Sequence, residues 1–241
     1  MTPPVQREGV NPQPPLSAAL DAALADPDPA HLSRWLHAAA RGVSTYVEAA
    51  RPWGEESWLP LHAAAEIGNG QAVAALLKAG AQPDARTRFT TPLHARQTAV
   101  HLAAAAGHAA VVAMLMDAGA EAEVRDARGR SPLWEAARGG HGAAVASLLE
   151  AGANPQAKDA GGRSVLHAAL MPAEGDRPTA EALEVVTRLL NAGADPNAVC
   201  PREPAAYTPL LRAAALGTAG EGLIVLLQKA GAEANIAPPR D

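Results

Sequence analysis

The chain has 241 residues and a net charge of −5, a balance that favours neither nucleic acid nor an acidic lipid surface. One cysteine, Cys200, excludes an intramolecular disulfide and any multi-thiolate metal site. Hydrophobic residues reach 48% while aromatics are only 3%, so a core of Ala, Leu and Val in thin, closely packed layers is expected instead of one filled by large rings. No run of about 18 apolar residues could cross a bilayer. The polar, proline-rich start has no apolar stretch like that of a signal peptide. A cytoplasmic protein is the expectation.

Residues 1–15 are expected to be disordered. In 16–58, Leu20, Ala22 and Ala23 fall on a first helix, and Asp26-Pro27-Asp28-Pro29 forms a turn. Leu32-Trp35-Leu36 then marks a second helix, and 44–56 is an irregular finger containing Trp53. From Leu59 onward a four-residue opening recurs. It reads Leu59-Pro60-Leu61-His62, Thr98-Ala99-Val100-His101, Ser131-Pro132-Leu133-Trp134, Ser164-Val165-Leu166-His167 and Thr208-Pro209-Leu210-Leu211. Its fourth positions are 39, 33, 33 and 44 residues apart, a period of 33 with two insertions.

Each opening leads to an apolar triad at i, i+3, i+4 and then a glycine. The triads are Val73-Leu76-Leu77, Val112-Leu115-Met116, Val145-Leu148-Leu149, Val186-Leu189-Leu190 and Leu223-Leu226-Leu227. They are followed by Gly80, Gly119, Gly152, Gly193 and Gly231. The triad spacing puts three side chains on one helical face, and the glycine stops the helix in a left-handed conformation. Ser or Thr caps the first helix, and proline fits its first turn. Each unit therefore reads as helix, turn, helix and extended connection.

These openings, triads and glycines resemble the ankyrin-repeat family over roughly 59–237. The resemblance implies an all-α solenoid of stacked helix-turn-helix units with projecting hairpin fingers. Residues 16–43 then read as a degenerate first repeat, because terminal units are atypical. Insertions fall near 84–97, 171–179 and 200–207, and 238–241 form a tail. In 84–97, Thr91-Pro92-Leu93-His94 offers a second opening; the start at Thr98 is preferred because it keeps the 18-residue step from His101 to Gly119.

His62, His101 and His167 occupy the fourth position of the opening, which in ankyrin repeats makes structural hydrogen bonds. His108 and His141 belong to inter-helix turns, and His31 and His37 to the surface of the cap. None has zinc-ligand spacing on one helix. No phosphate loop or nucleophile elbow is present, and Cys200 reads as a surface or half-buried thiol without an activating partner. No cofactor, metal or catalytic group is expected.

The resemblance implies a non-enzymatic protein-interaction module, binding through fingers and the exposed ends of first helices. The finger candidates are Arg86, Arg88, Phe89, Arg96, Arg125, Arg128, Arg130, Arg163 and Tyr207, with Arg138 at the end of a first helix and Arg202 as a further finger arginine. Stacking aligns them into a basic ladder suited to an acidic partner surface, unless Asp84, Asp126 and Asp159 neutralise it locally. Trp134 reads as a core residue between units. Replacing Arg128 and Arg130 by Glu is expected to abolish capture without lowering the melting temperature. The competing readings are surface arginines that serve solubility alone, an inhibitor or immunity protein of a cognate enzyme, and a nucleic-acid binder. The scarcity of lysine and interleaved aromatics counts against the last. The free protein is expected to be monomeric.

Overall fold

The computed structural model describes residues 51–53, 56–58, 60–78, 80–87, 96–171, 179–202 and 208–234. The expected disordered start, the degenerate repeat at 16–43, the Thr91–His94 opening, residues 172–178 and 203–207 of the insertions, and the tail lie outside them.

Strands β1 (Arg51–Trp53) and β2 (Glu56–Trp58) pair antiparallel, with Arg51 opposite Trp58 and Trp53 opposite Glu56. This corrects the irregular finger expected over 44–56 at the residues described there, 51–53 and 56, while the rest of that stretch lies outside the described residues. Helices then come in pairs: α1 (Pro60–Glu66) with α2 (Gly70–Lys78), α3 (Ala99–Ala106) with α4 (Ala109–Asp117), and α5 (Pro132–Gly139) with α6 (Gly142–Glu150). They are followed by α7 (Val165–Ala169) with α8 (Thr179–Asn191), and α9 (Pro209–Ala214) with α10 (Glu221–Lys229). A 3-10 turn, Gly217–Gly220, joins the last two.

The opening residues start the first helices as their chemistry dictates. Ser131 Oγ accepts from Trp134 N–H at 3.2 Å, and Thr208 Oγ1 accepts from Leu211 N–H at 3.3 Å. In α7, Ser164 Oγ accepts from His167 N–H at 3.4 Å while Ser164 N–H donates back to His167 Nδ1 at 3.3 Å. Histidine thus plays the returning part usually taken by Glu or Gln. Thr98 N–H donates likewise to His101 Nδ1 at 3.2 Å, which fixes the start of α3 at the preferred opening.

First helices α1, α3, α5, α7 and α9 pack successively into one layer, and α2, α4, α6, α8 and α10 into a second. The first layer is thin because its contacts are alanines: Ala64, Ala103, Ala104, Ala136, Ala137, Ala168 and Ala169 are fully buried. Beneath it lie the leading triad residues, including Val73, Leu76, Val112, Leu115, Val145, Leu148, Val186 and Leu189. Among the described residues Trp134 is the largest fully buried side chain, so the one aromatic opening residue packs between units as expected.

The stop glycines Gly80, Gly119, Gly152, Gly193 and Gly231 all have φ between 87° and 93°. A second glycine class is held by contact as well as conformation. Gly107 has φ 80°, and a Cβ there would lie 2.6 Å from Nδ1 of His141. That imidazole donates through Nε2 to Ala105 O at 2.9 Å, locking one turn onto the preceding unit. Gly107→Ala is therefore expected to cost about 2–3 kcal/mol by urea denaturation, combining left-handed strain with displacement of His141. A loss below about 0.5 kcal/mol, the range of an ordinary surface substitution, would show that the contact is not stabilising.

Candidate partner-binding face

The fingers share one closing pair. Asp126 N–H donates to Arg130 O at 3.0 Å and Asp159 N–H to Arg163 O at 2.9 Å, each pair four residues apart. Thr87 and Gln97 close the earlier finger in the same way, with Thr87 N–H donating to Gln97 O at 2.8 Å across ten residues. The base of the longer finger thus keeps the pairing of the shorter ones.

Neighbouring fingers are tied by a second set of bonds. Asp84 accepts from Glu121 N–H at 3.1 Å, Glu123 from Asn154 N–H at 2.8 Å, Gln156 from Asp195 N–H at 3.1 Å, and Asn197 from Glu233 N–H at 2.8 Å. Arginines add a third set. Arg86 Nη1 donates to Arg125 O at 2.7 Å, and Arg125 Nη1 donates to both Gly129 O at 2.9 Å and Lys158 O. Arg86 and Arg125 therefore staple one finger to the next while part of each guanidinium faces water, so they cannot count as wholly free contacts.

Arg130 requires correction. It was expected at a finger surface, but its side chain is 6% exposed. Nε and Nη2 donate to Asp126 Oδ2 at 3.0 and 2.8 Å, while Nη1 lies 2.9 Å from Glu135 Oε1. The last approach is an ion pair without hydrogen-bond geometry. The cause is the turn itself: Asp126 Oδ1 also accepts from the backbone N–H groups of Arg128 and Arg130, each at 2.8 Å. The carboxylate is thereby fixed beneath the finger and draws the guanidinium in.

Arg163 repeats the arrangement with Asp159 at 2.7 Å and is 27% exposed, so little of it is presented outward. Arg130 and Arg163 also lie 5.2 and 5.6 Å from the Trp134 ring centroid, sharing that indole between two fingers. Cys200 is corrected too. It is fully buried, with its thiol donating to Gly161 O at 3.7 Å. It holds the finger position that Thr87, Asp126 and Asp159 hold in earlier units, all of them buried.

Of the remaining candidates, Arg96, Arg128 and Arg202 are exposed, as is Lys158. Arg96 adopts φ 61°, a left-handed conformation at the base of the long finger. Arg88, Phe89 and Tyr207 lie outside the described residues. The finger edges are contiguous: Ala160 N–H donates to Arg128 O at 2.9 Å, and a Cβ on Gly162 would meet Pro201 at 3.6 Å.

Arg138 sits at the end of α5, 47% exposed, its Nε donating to Glu135 Oε2 at 3.3 Å. A cavity of about 270 Å³ opens beside it, lined by Leu102, Ala105 and Ala106 together with Glu66, Glu135 and Arg138. Sequence reasoning missed this cavity. Its signal was the pair of small residues, Ala105 and Ala106, at the exposed end of α3, where neighbouring units carry Glu66 and Arg138.

The buried imidazoles are structural. His62 Nε2 donates to Ala85 O at 2.8 Å and His101 Nε2 to Arg130 O at 3.0 Å, each reaching the following finger. Burial depresses both pKa values to about 4, opposed in part by those backbone bonds. His108 and His141 donate to Glu66 O and Ala105 O of the preceding units at 2.9 Å. Among the described residues no group of three or more His, Cys, Asp or Glu could hold a metal ion, and no helix is long and apolar enough to cross a membrane.

Paired helices in two layers, joined by cross-tied fingers, define a helical repeat protein whose units stack along one axis. The ankyrin-repeats family model matches three times in overlapping spans, 35–126, 61–159 and 100–200, and the chain belongs to that family. Ankyrin repeats are generally protein–protein interaction modules. A search of curated proteins gives no match.

Proposed function

We propose that this chain holds a partner protein on the concave side formed by its fingers and first-helix ends, and that the partner presents an acidic surface. The observation that carries the reading is the sorting of charge within the fingers. Asp126 and Asp159 are turned inward onto Arg130 and Arg163, while Arg96, Arg128, Lys158 and Arg202 face outward. Asp84 and Glu123 are occupied by neighbouring backbone N–H groups, which leaves Glu121 and Glu233 as exposed acids of that edge without a described side-chain partner. The aspartates therefore do not mute the outward cations; they consume buried ones. Arg88, Phe89 and Tyr207 belong to the same reading as finger contacts. A scaffold already tied together by bonds between fingers loses little conformational freedom on binding, so more of the contact energy is retained.

Capture from the native host, with mass spectrometry, would supply the partner, and Arg128→Glu tests the surface. Arg128 makes no side-chain bond within the described residues, so the variant is expected to keep its urea midpoint. Its affinity should fall at least tenfold, and the wild-type affinity should fall with added salt. Equal capture by Arg128→Glu and by the wild type would exclude this face.

A further inference from the structure

The cavity between α3 and α5 joins an apolar lining to a guanidinium whose position is set from behind. Arg130 is fixed by Asp126 and contacts one oxygen of Glu135; the other oxygen holds Arg138 through Nε. Glu135 lines the cavity but its side chain is only 2% exposed, and both of its oxygens already face guanidinium groups. The two terminal nitrogens of Arg138 have no described partner, and Arg138 shares the cavity with Leu102, Ala105 and Ala106.

We infer that this cavity is a subsite for one glutamate side chain of the partner, its carboxylate on the terminal nitrogens of Arg138 and its methylenes on Ala105 and Ala106. The inference rests on the binding face proposed above and names what that face takes at α3 and α5. A guanidinium with Nε already engaged still offers its paired Nη hydrogens, and a carboxylate can accept both. The alanine lining matches a short aliphatic stem, and about 270 Å³ holds one side chain but not a folded element. Glu66 is exposed on the same cavity and opposes an incoming carboxylate, against which Arg138 must act. Glu135 is a positioning residue in this scheme, acting only through Arg138.

The test needs no partner. The probe is glutamate capped as its N-acetyl, N-methylamide derivative, titrated into the full chain and followed by NMR at Arg138 Nε–H and the Ala105 and Ala106 amides. Saturable shifts are expected at all three, with capped glutamine giving none. Arg138→Gln should abolish the shifts at both alanines, and Glu66→Gln should tighten binding about threefold, as for an exposed charge pair. Non-saturating shifts, equal shifts with capped glutamine, or equal shifts in Arg138→Gln would each overturn the subsite. Such a failure beside a capture still sensitive to Arg128→Glu leaves the finger reading standing. Saturation at Arg138 beside a capture indifferent to Arg128→Glu refutes the finger reading alone.

Discussion

Arg130→Ala is expected to destabilise the chain by about 3–5 kcal/mol, the cost of leaving buried charge without its partner. Asp126 and Glu135 have side chains 1% and 2% exposed, and both face this one guanidinium. Removing it leaves Asp126 without its cation and Glu135 with only the half-exposed Arg138. Loss of the contact over the Trp134 ring adds to the cost. Arg130→Glu is worse still, since it would put a third carboxylate in the same place. The paired replacement of Arg128 and Arg130 by Glu, which the sequence suggests as a neutral test of binding, is thus expected to lower stability and to confound any loss of capture. Urea denaturation of Arg130→Ala, Glu135→Gln and the double variant resolves the point. The double variant should recover part of the loss, because the two sites act through one network. A loss below about 1 kcal/mol for Arg130→Ala, the ordinary scale for a surface pair, would mean that water reaches this cluster and that the arginine is available to a partner after all.

The contrast between Arg128 and Arg130 shows where sequence reading stopped. The repeat period, the capping residues and the left-handed glycines were legible because each follows from a local rule that recurs in register. Trp134 was legible as a core residue from its opening position alone. Two arginines separated by one residue in a turn look alike by those rules. Their fates differ because Asp126 binds the backbone of both but the side chain of only one. The recurrence of Asp and Arg four apart at 126/130 and 159/163 was a visible signal for that pairing. The second acid, Glu135, was harder, since it reaches Arg130 from a helix that must first be stacked in place. The buried position of Cys200 was legible too: it lies seven residues after Gly193, as Asp126 lies after Gly119 and Asp159 after Gly152. The ties of Arg86 and Arg125 to carbonyls 39 and 33 residues away depend on how successive fingers lie side by side, which no single unit encodes.

Acid is expected to weaken the fold well above the carboxylate range, through His62 and His101. Both imidazoles have pKa values of about 4, lowered from 6.5 mainly because burial disfavours the charged ring. Between those values the unfolded chain takes up protons that the folded chain refuses. Their contribution is therefore complete above pH 6.5 and is lost as pH falls toward 4. Each should cost about 2 kcal/mol by pH 5 and about 3 kcal/mol by pH 4. Together these approach the net stability of a typical domain. The chemistry at His101 shows why the neutral ring is required. Nε2–H donates to Arg130 O, so Nδ1 must accept from Thr98 N–H, and a proton on Nδ1 would set two donors against each other at the start of α3. Protonation would therefore loosen the first turn of α3 and the finger ending at Arg130 together. Urea midpoints measured at pH 7 and pH 5 for the wild type and for His62→Gln/His101→Gln test the assignment. The variant should be less stable at pH 7 yet change much less between the two conditions. An undiminished fall in the variant would place the acid sensitivity elsewhere in the chain.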